Sequence, residues 1–315
     1  MEGQGGPKGP TGKRSLVGLV VAYATAAVVL LVIVALVLVP VLTGGREANP
    51  ADGYPDTPGA SPTTPAPRPT VAPTPSRLTA PLTVRVLFAH QSIGQDIVRG
   101  VPEVFKSARL KAPQVQLWSR ARNSRGPVLA TATIGQNGDP RSKLRAFASL
   151  VNNAPRNSVD VALMAFNYQD ISADTDVEGV FQIYTETMDS LETANPDISF
   201  LYATVPVTTA NSWRSVDQSK VQGLVDVSQP VWQDNIARER FNSLLRQEYR
   251  ATGRLFDVAA LQARLGGTKV SAKEHEGQWY FVMNPGLSTD GRRLNTNGSR
   301  QLARALMLFV EASKG

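Results

Sequence analysis

A chain of 315 residues with no cysteine, two histidines and a formal charge of +7 argues against several classes at once. Without cysteine there is no disulfide framework, no thiol nucleophile and no thiolate metal site, and His90 and His275 alone do not make a histidine-rich metal centre. The basic residues are scattered, with no dense basic helix and no nucleic-acid motif. They suit solubility, or mild attraction to anionic envelope polymers or lipid headgroups, rather than nucleic acid. The sequence calls for no cofactor and no metal.

Residues 1–14 form a short Gly-rich basic tail. The run from Leu16 to Leu42 has no charged side chain and is roughly 40 Å long as a helix, enough to span a bilayer with tilt. Lys8, Lys13 and Arg14 precede it. The expectation is a single transmembrane helix over 15–43 with the N-terminus cytoplasmic and the rest outside the cell membrane. A cleaved signal peptide fits less well, because its apolar core is about 7–15 residues and Val41-Leu42-Thr43-Gly44 lacks a small-x-small site. Residues 44–81, rich in Pro, Thr, Ala and Ser, are expected to be a disordered linker that holds a domain over 82–315 up to about 100 Å from the membrane.

Within 82–315, apolar β-rich runs predict strands at Thr83–Ala89, Gln114–Trp118, Val159–Phe166, Ile198–Val205 and Leu255–Ala259. Amphipathic segments predict helices after HQSIG, over Ser142–Val151, over Val177–Ala194, from Val231 to a stop at Gly253, and over Thr296–Ala312. This alternation implies a three-layer α/β/α sandwich around a mainly parallel five-stranded sheet. Ligands of such sheets bind at the carboxyl ends of the strands. Ser92, Asn167 and the Asp290 loop are expected to arrive there.

Ser92, in His90-Gln91-Ser92-Ile93-Gly94, stands at a strand-to-helix turn, where a hydroxyl is exposed to the positive end of a helix. An N-cap serine has the same signature. Gly94 permits close backbone approach and offers an N–H to an oxyanion. Asn167, at the end of the third predicted strand, is a side-chain donor to an oxyanion or a group that satisfies its own loop. Gly135-Gln136-Asn137-Gly138-Asp139-Pro140 is a donor loop or a plain turn.

In their order these blocks resemble the SGNH/GDSL hydrolase family over Thr83 to Ala312. The resemblance implies Ser92 as nucleophile, Gly94, Gly135 (or Gly126) and Asn167 as oxyanion donors, and Asp290 in the final Asp-x-x-His block. Three departures stand out: Ala165 for glycine, Tyr168 for aspartate, and Arg293 for the histidine. A guanidinium stays protonated and cannot accept the serine proton. His275 is an alternative base, and His90, two residues from Ser92, another.

Two readings follow. One is a membrane-anchored serine esterase or O-acetyl hydrolase acting on an envelope polysaccharide or a lipid ester. The other is an inactive SGNH-like domain that binds envelope glycan or scaffolds a partner, with Trp213, Trp232 and Trp279 as a stacking surface. In both, Asp290 is expected to pair with Arg292 or Arg293.

Overall fold

The computed structural model describes residues 78–210, 232–266 and 269–313. The apolar run 16–42, most of the linker and Trp213 lie outside them. Among the described residues no helix is long and apolar enough to cross a membrane.

The chain enters through Leu78, which is buried beside Phe105 and Met307. Core contacts therefore begin ahead of Leu82. Strand β1, Arg85–His90, places Val86 and Phe88 in one apolar layer and Leu87 and Ala89 in the other. That two-sided burial explains its unbroken apolar reading. It leads into helix α1, Ser92–Ala108. Then come β2 (Gln114–Leu117), the short α2 (Trp118–Ala121), β3 (Val128–Thr133), α3 (Pro140–Asn152), β4 (Val161–Met164), α4 (Val177–Ala194) and β5 (Ser199–Ala203). The C-terminal third holds α5 (Trp232–Tyr249), β6 (Leu255–Phe256), α6 (Val258–Ala263), two small antiparallel ribbons and α7 (Thr296–Ala312). The ribbons are β7 (Arg264–Gly266) with β8 (Lys269–Val270), and β9 (Ala272–His275) with β10 (Gln278–Phe281).

The main sheet has six strands in the order β2-β3-β1-β4-β5-β6, all paired in parallel. Helices α1, α6 and α7 contribute to the core on one face, and α3, α4 and α5 to the core on the other. The α/β/α architecture is the expected one, but the sheet has six strands rather than five. The extra strand, β3, reads VLATAT. Its second half is small Thr and Ala, too weakly apolar to be read as a strand, yet it pairs with β1 along its whole length. The Gly135 loop follows β3, not the second strand of the sequence reading. QVQL becomes the edge strand, with Leu117 62% exposed.

Local chemistry sets the helix ends. Asp139, Asp176 and Asn295 accept from Ser142 N, Gly179 N and Gly298 N, capping α3, α4 and α7. Gly253, at φ 70°, ends the turn that follows α5. The inner face of α5 sets buried polar residues beside Phe241 and Leu245. Asn242 bonds both backbone groups of Val205, and Asn235 those of Thr208, so the extended stretch after β5 is paired by amide side chains in place of a neighbouring strand.

Candidate active site

Ser92 is the first residue of α1, directly after β1, half-buried, and Gln91 is the N-cap without a side-chain cap bond. The Gln91 amide instead donates to Ile134 O at 2.7 Å and Gly135 O at 2.9 Å. This ties the serine turn to the loop after β3. Gly135 has φ +53°, and a Cβ there would stand 2.6 Å from Lys143 N and 2.7 Å from Lys143 Cγ. Both the backbone angle and the space demand glycine. Gly126, the weaker alternative, has nothing within 4 Å of an added Cβ.

Asn167 follows β4 and is 1% exposed. Its Nδ2 donates to Asn137 Oδ1 at 3.3 Å and to Gln169 Oε1 at 3.0 Å, while its Oδ1 is buried without a hydrogen bond. The amide is thus committed within its own loops. Donation to a ligand requires the exposed Gln169 to swing away.

The Asp290 loop is a tight turn closed by the Ser288–Leu294 bridge and by Ser288 Oγ, which donates to Arg293 O and accepts from Gly291 N. Asp290 Oδ1 accepts from the backbone N–H groups of Arg292 and Arg293 at 2.9 and 2.7 Å. Partial burial works to raise its pKa, but those two N–H groups outweigh it and hold the carboxyl below the usual range. The expected ion pair between Asp290 and a neighbouring arginine is replaced by this backbone turn. Arg293 goes elsewhere. Its Nε and Nη2 bind Asp96 Oδ2 and Oδ1 at 2.7 and 2.6 Å, and Leu294 N adds a third bond to the same carboxylate. Asp96 is one helical turn after Ser92 on α1, so the two share a face, with Cβ atoms roughly 6 Å apart. The Asp96 carboxylate raises the Arg293 pKa further. A bidentate guanidinium of this kind is a fixed cation.

Neither imidazole bonds the serine. The His90 side chain lies against the backbone of Gly94, where an added Cβ would meet His90 Cβ at 2.2 Å and the ring at Cγ at 2.4 Å. Its Nδ1 is 2.9 Å from Gln91 O, and its Nε2 is buried without a partner. Burial pushes this imidazole below its ordinary pKa, the Gln91 carbonyl opposing only in part. His275 ends β9, where its ring lies 4.1 Å from that of Trp232, and its Nε2 faces Glu276 at 3.8 Å. Trp279 lies opposite Glu274 on the same hairpin. Among the described residues no group of three or more His, Asp or Glu could hold a metal ion.

Three links therefore join the blocks: Gln91 to Gly135, Asn137 to Asn167, and Asp96 to Arg293. Sequence reading missed Asp96, Lys143 and Asp170. Asp96 and Lys143 sit inside amphipathic helices, where a charged residue reads as solvated. All three are buried.

No family model matches the chain, and no curated protein matches it. Similar solved structures include the periplasmic domain of a lipopolysaccharide acetyltransferase of Salmonella ser. Paratyphi A, at 12% identity and TM-score 0.42, covering 72% of this chain and 84% of that one. Others are a lipase/acylhydrolase from Enterococcus faecalis, at 12% and 0.39, covering 74% and 96%, and a family 3 carbohydrate esterase of Clostridium thermocellum, at 11% and 0.38, covering 74% and 99%. The described chain is a parallel α/β/α domain in which the Ser92, Gly135 and Asn167 blocks follow β1, β3 and β4 and Asp290 precedes the last helix, the order on which the resemblance to SGNH/GDSL hydrolases rests, with Arg293 at the position where that resemblance expects a histidine.

Proposed function

We propose that this is an outward-facing, membrane-tethered SGNH-like domain whose Ser92 site recognises an acyl ester of an envelope polysaccharide or lipid without hydrolysing it. The observation that carries the reading is the Arg293–Asp96 pair. Ester hydrolysis by serine needs a group that accepts the hydroxyl proton and returns it to the leaving alcohol. A guanidinium clamped on a carboxylate does neither. The hydroxyl of Ser92, the first turn of α1 and the Gly135 loop still offer an acyl carbonyl polar contacts at one strand edge. The tether rests on the uncharged run 16–42, with Lys8, Lys13 and Arg14 ahead of it.

The test compares retention of the full-length chain on O-acetylated envelope polysaccharide before and after mild alkaline de-O-acetylation, with acetate release measured in parallel. Retention that falls on de-acetylation, with no acetate released, is expected. Equal retention on both polymers, or none, overturns the reading. A second reading, an active O-acetyl hydrolase, draws on the half-buried serine kept at the head of α1. Acetate release abolished by Ser92→Ala would establish it.

A further inference from the structure

Lys143 belongs to none of the blocks described for the site, yet it lies beneath two of them. Its side chain on α3 is 0% exposed, as is that of Asp170, whose Oδ2 lies 2.6 Å from Lys143 Nζ. Nζ also donates to Asn137 Oδ1 at 3.0 Å, the oxygen that accepts from Asn167 Nδ2. Asp170 in turn accepts from Asn167 N at 2.6 Å and from Gly138 N at 2.9 Å. One buried ion pair thus holds both backbone and side chain of Asn167, and both Asn137 and Gly138 of the loop after β3. The backbone and Cγ of Lys143 close the space behind Gly135.

Burying an ammonium and a carboxylate is expensive, and apolar residues of similar size often serve stability as well or better. Burial lowers the Lys143 pKa and raises that of Asp170, each opposed by its partner. What the pair supplies that an apolar pair would not is direction. It gives acceptors to two N–H groups and a donor to one amide oxygen, all on the loops that would face a bound carbonyl.

We propose that Lys143, through Asp170 and Asn137, is a positioning residue that sets the oxyanion side of the Ser92 site. The proposal rests on the reading of Ser92 as an acyl-binding serine. Its test has two arms that fail separately.

The first arm needs no activity. Amide hydrogen exchange is followed in the full-length chain and in Lys143→Met. The Gly138 and Asn167 amides are expected to exchange at least about tenfold faster in the variant, while those of Phe88 and Ala89 in β1 keep their rates. Unchanged exchange at Gly138 and Asn167 overturns the proposal, whatever the site does. The second arm uses Arg293→His, in which hydrolysis of an aryl acetate becomes measurable on the proposed reading. Adding Lys143→Met is expected to lower kcat about tenfold or more with KM within about twofold, the signature of a contact made in the transition state. The loss should not add to that of Asn167→Ala, since the two act as one unit. Additive losses, or an unchanged kcat, overturn it.

If Lys143→Met does not fold, Lys143→Met/Asp170→Leu replaces the whole pair with apolar groups. That variant should melt near the parent's temperature yet show the same fall in kcat, whereas a retained kcat would reduce the pair to core filling and overturn the proposal. If Arg293→His hydrolyses nothing, the functional reading fails, and the exchange arm alone decides the placement of the loops.

Discussion

Replacing Arg293 with histidine changes two things, and the structure sets the size of each. The guanidinium gives Asp96 two short charge-assisted bonds, and the Asp96 side chain is 1% exposed. Losing them leaves that carboxylate with Leu294 N at 3.2 Å and Arg99, itself largely exposed, at 3.1 Å. Bonds to charged groups are worth about 1.5–3 kcal/mol each. Losing both costs up to about 3–6 kcal/mol, less what a charged imidazole beside Asp96 restores, at roughly 2–4 °C of Tm per kcal/mol for a domain of this size. The new imidazole sits three residues after Asp290, the carboxylate expected to orient it. It also lies beside Asp96. An opposite charge within about 4–6 Å raises a histidine pKa by roughly 1–3 units, so the basic form should dominate only above about pH 7.5–9.5. Hydrolysis of 4-nitrophenyl acetate, assayed from about pH 6 to about pH 10, should therefore be low in the natural chain at every pH and should rise with pH in Arg293→His. A positioned general base contributes roughly 10²–10⁴-fold, about 2.7–5.5 kcal/mol of barrier. Adding Asp96→Asn should move the midpoint to lower pH. A folded Arg293→His that stays inert up to about pH 10, or a natural chain with Ser92-dependent turnover, refutes the reasoning.

Three further outcomes are expected. Because burial lowers the folded pKa of His90, the unfolded chain binds its proton first as pH falls below about 6.5. Stability from this group is then present above that pH and is lost as pH falls toward the folded value, so Tm should drop on acidification, and less so in His90→Phe. The side-chain bonds from Arg85 hold the Asp160 carboxyl below its ordinary range despite partial burial, so this pair's contribution is present above about pH 4 and is lost as pH falls through the folded pKa; Asp160→Asn should flatten the acid limb of a pH–stability curve. At Gly100 an added Cβ would meet the backbone oxygen of Ser299 at 2.3 Å, where α1 crosses α7, and backbone cannot move aside as a side chain can. Gly100→Ala should cost about 1–3 kcal/mol or more, read as a lower denaturant midpoint with unchanged m-value.

Periodicity alone carried the helices over Val177–Ala194 and Thr296–Ala312, whose ends coincide with the observed α4 and α7, because one apolar stripe and a side-chain cap are local properties. It also carried the buried central strands, since a parallel strand covered on both faces must be apolar throughout. Ser92 at the head of α1 and Asn167 after β4 were legible for the same reason: a turn follows a strand in the chain itself. What stayed hidden depends on partners distant in sequence. The Thr/Ala strand β3 is a strand because β1 lies along it, not through its own apolarity. Arg293 reads locally as a partner for Asp290, but the backbone turn satisfies that carboxylate first, and the guanidinium reaches a carboxylate 197 residues earlier. Lys143 and Asp170, 27 residues apart, meet only when α3 and the β4 loop pack together. A charged residue shows in the sequence only its need for a partner or water. Which of these it receives, and so whether it is solvated surface or the frame of a site, is decided when the layers close.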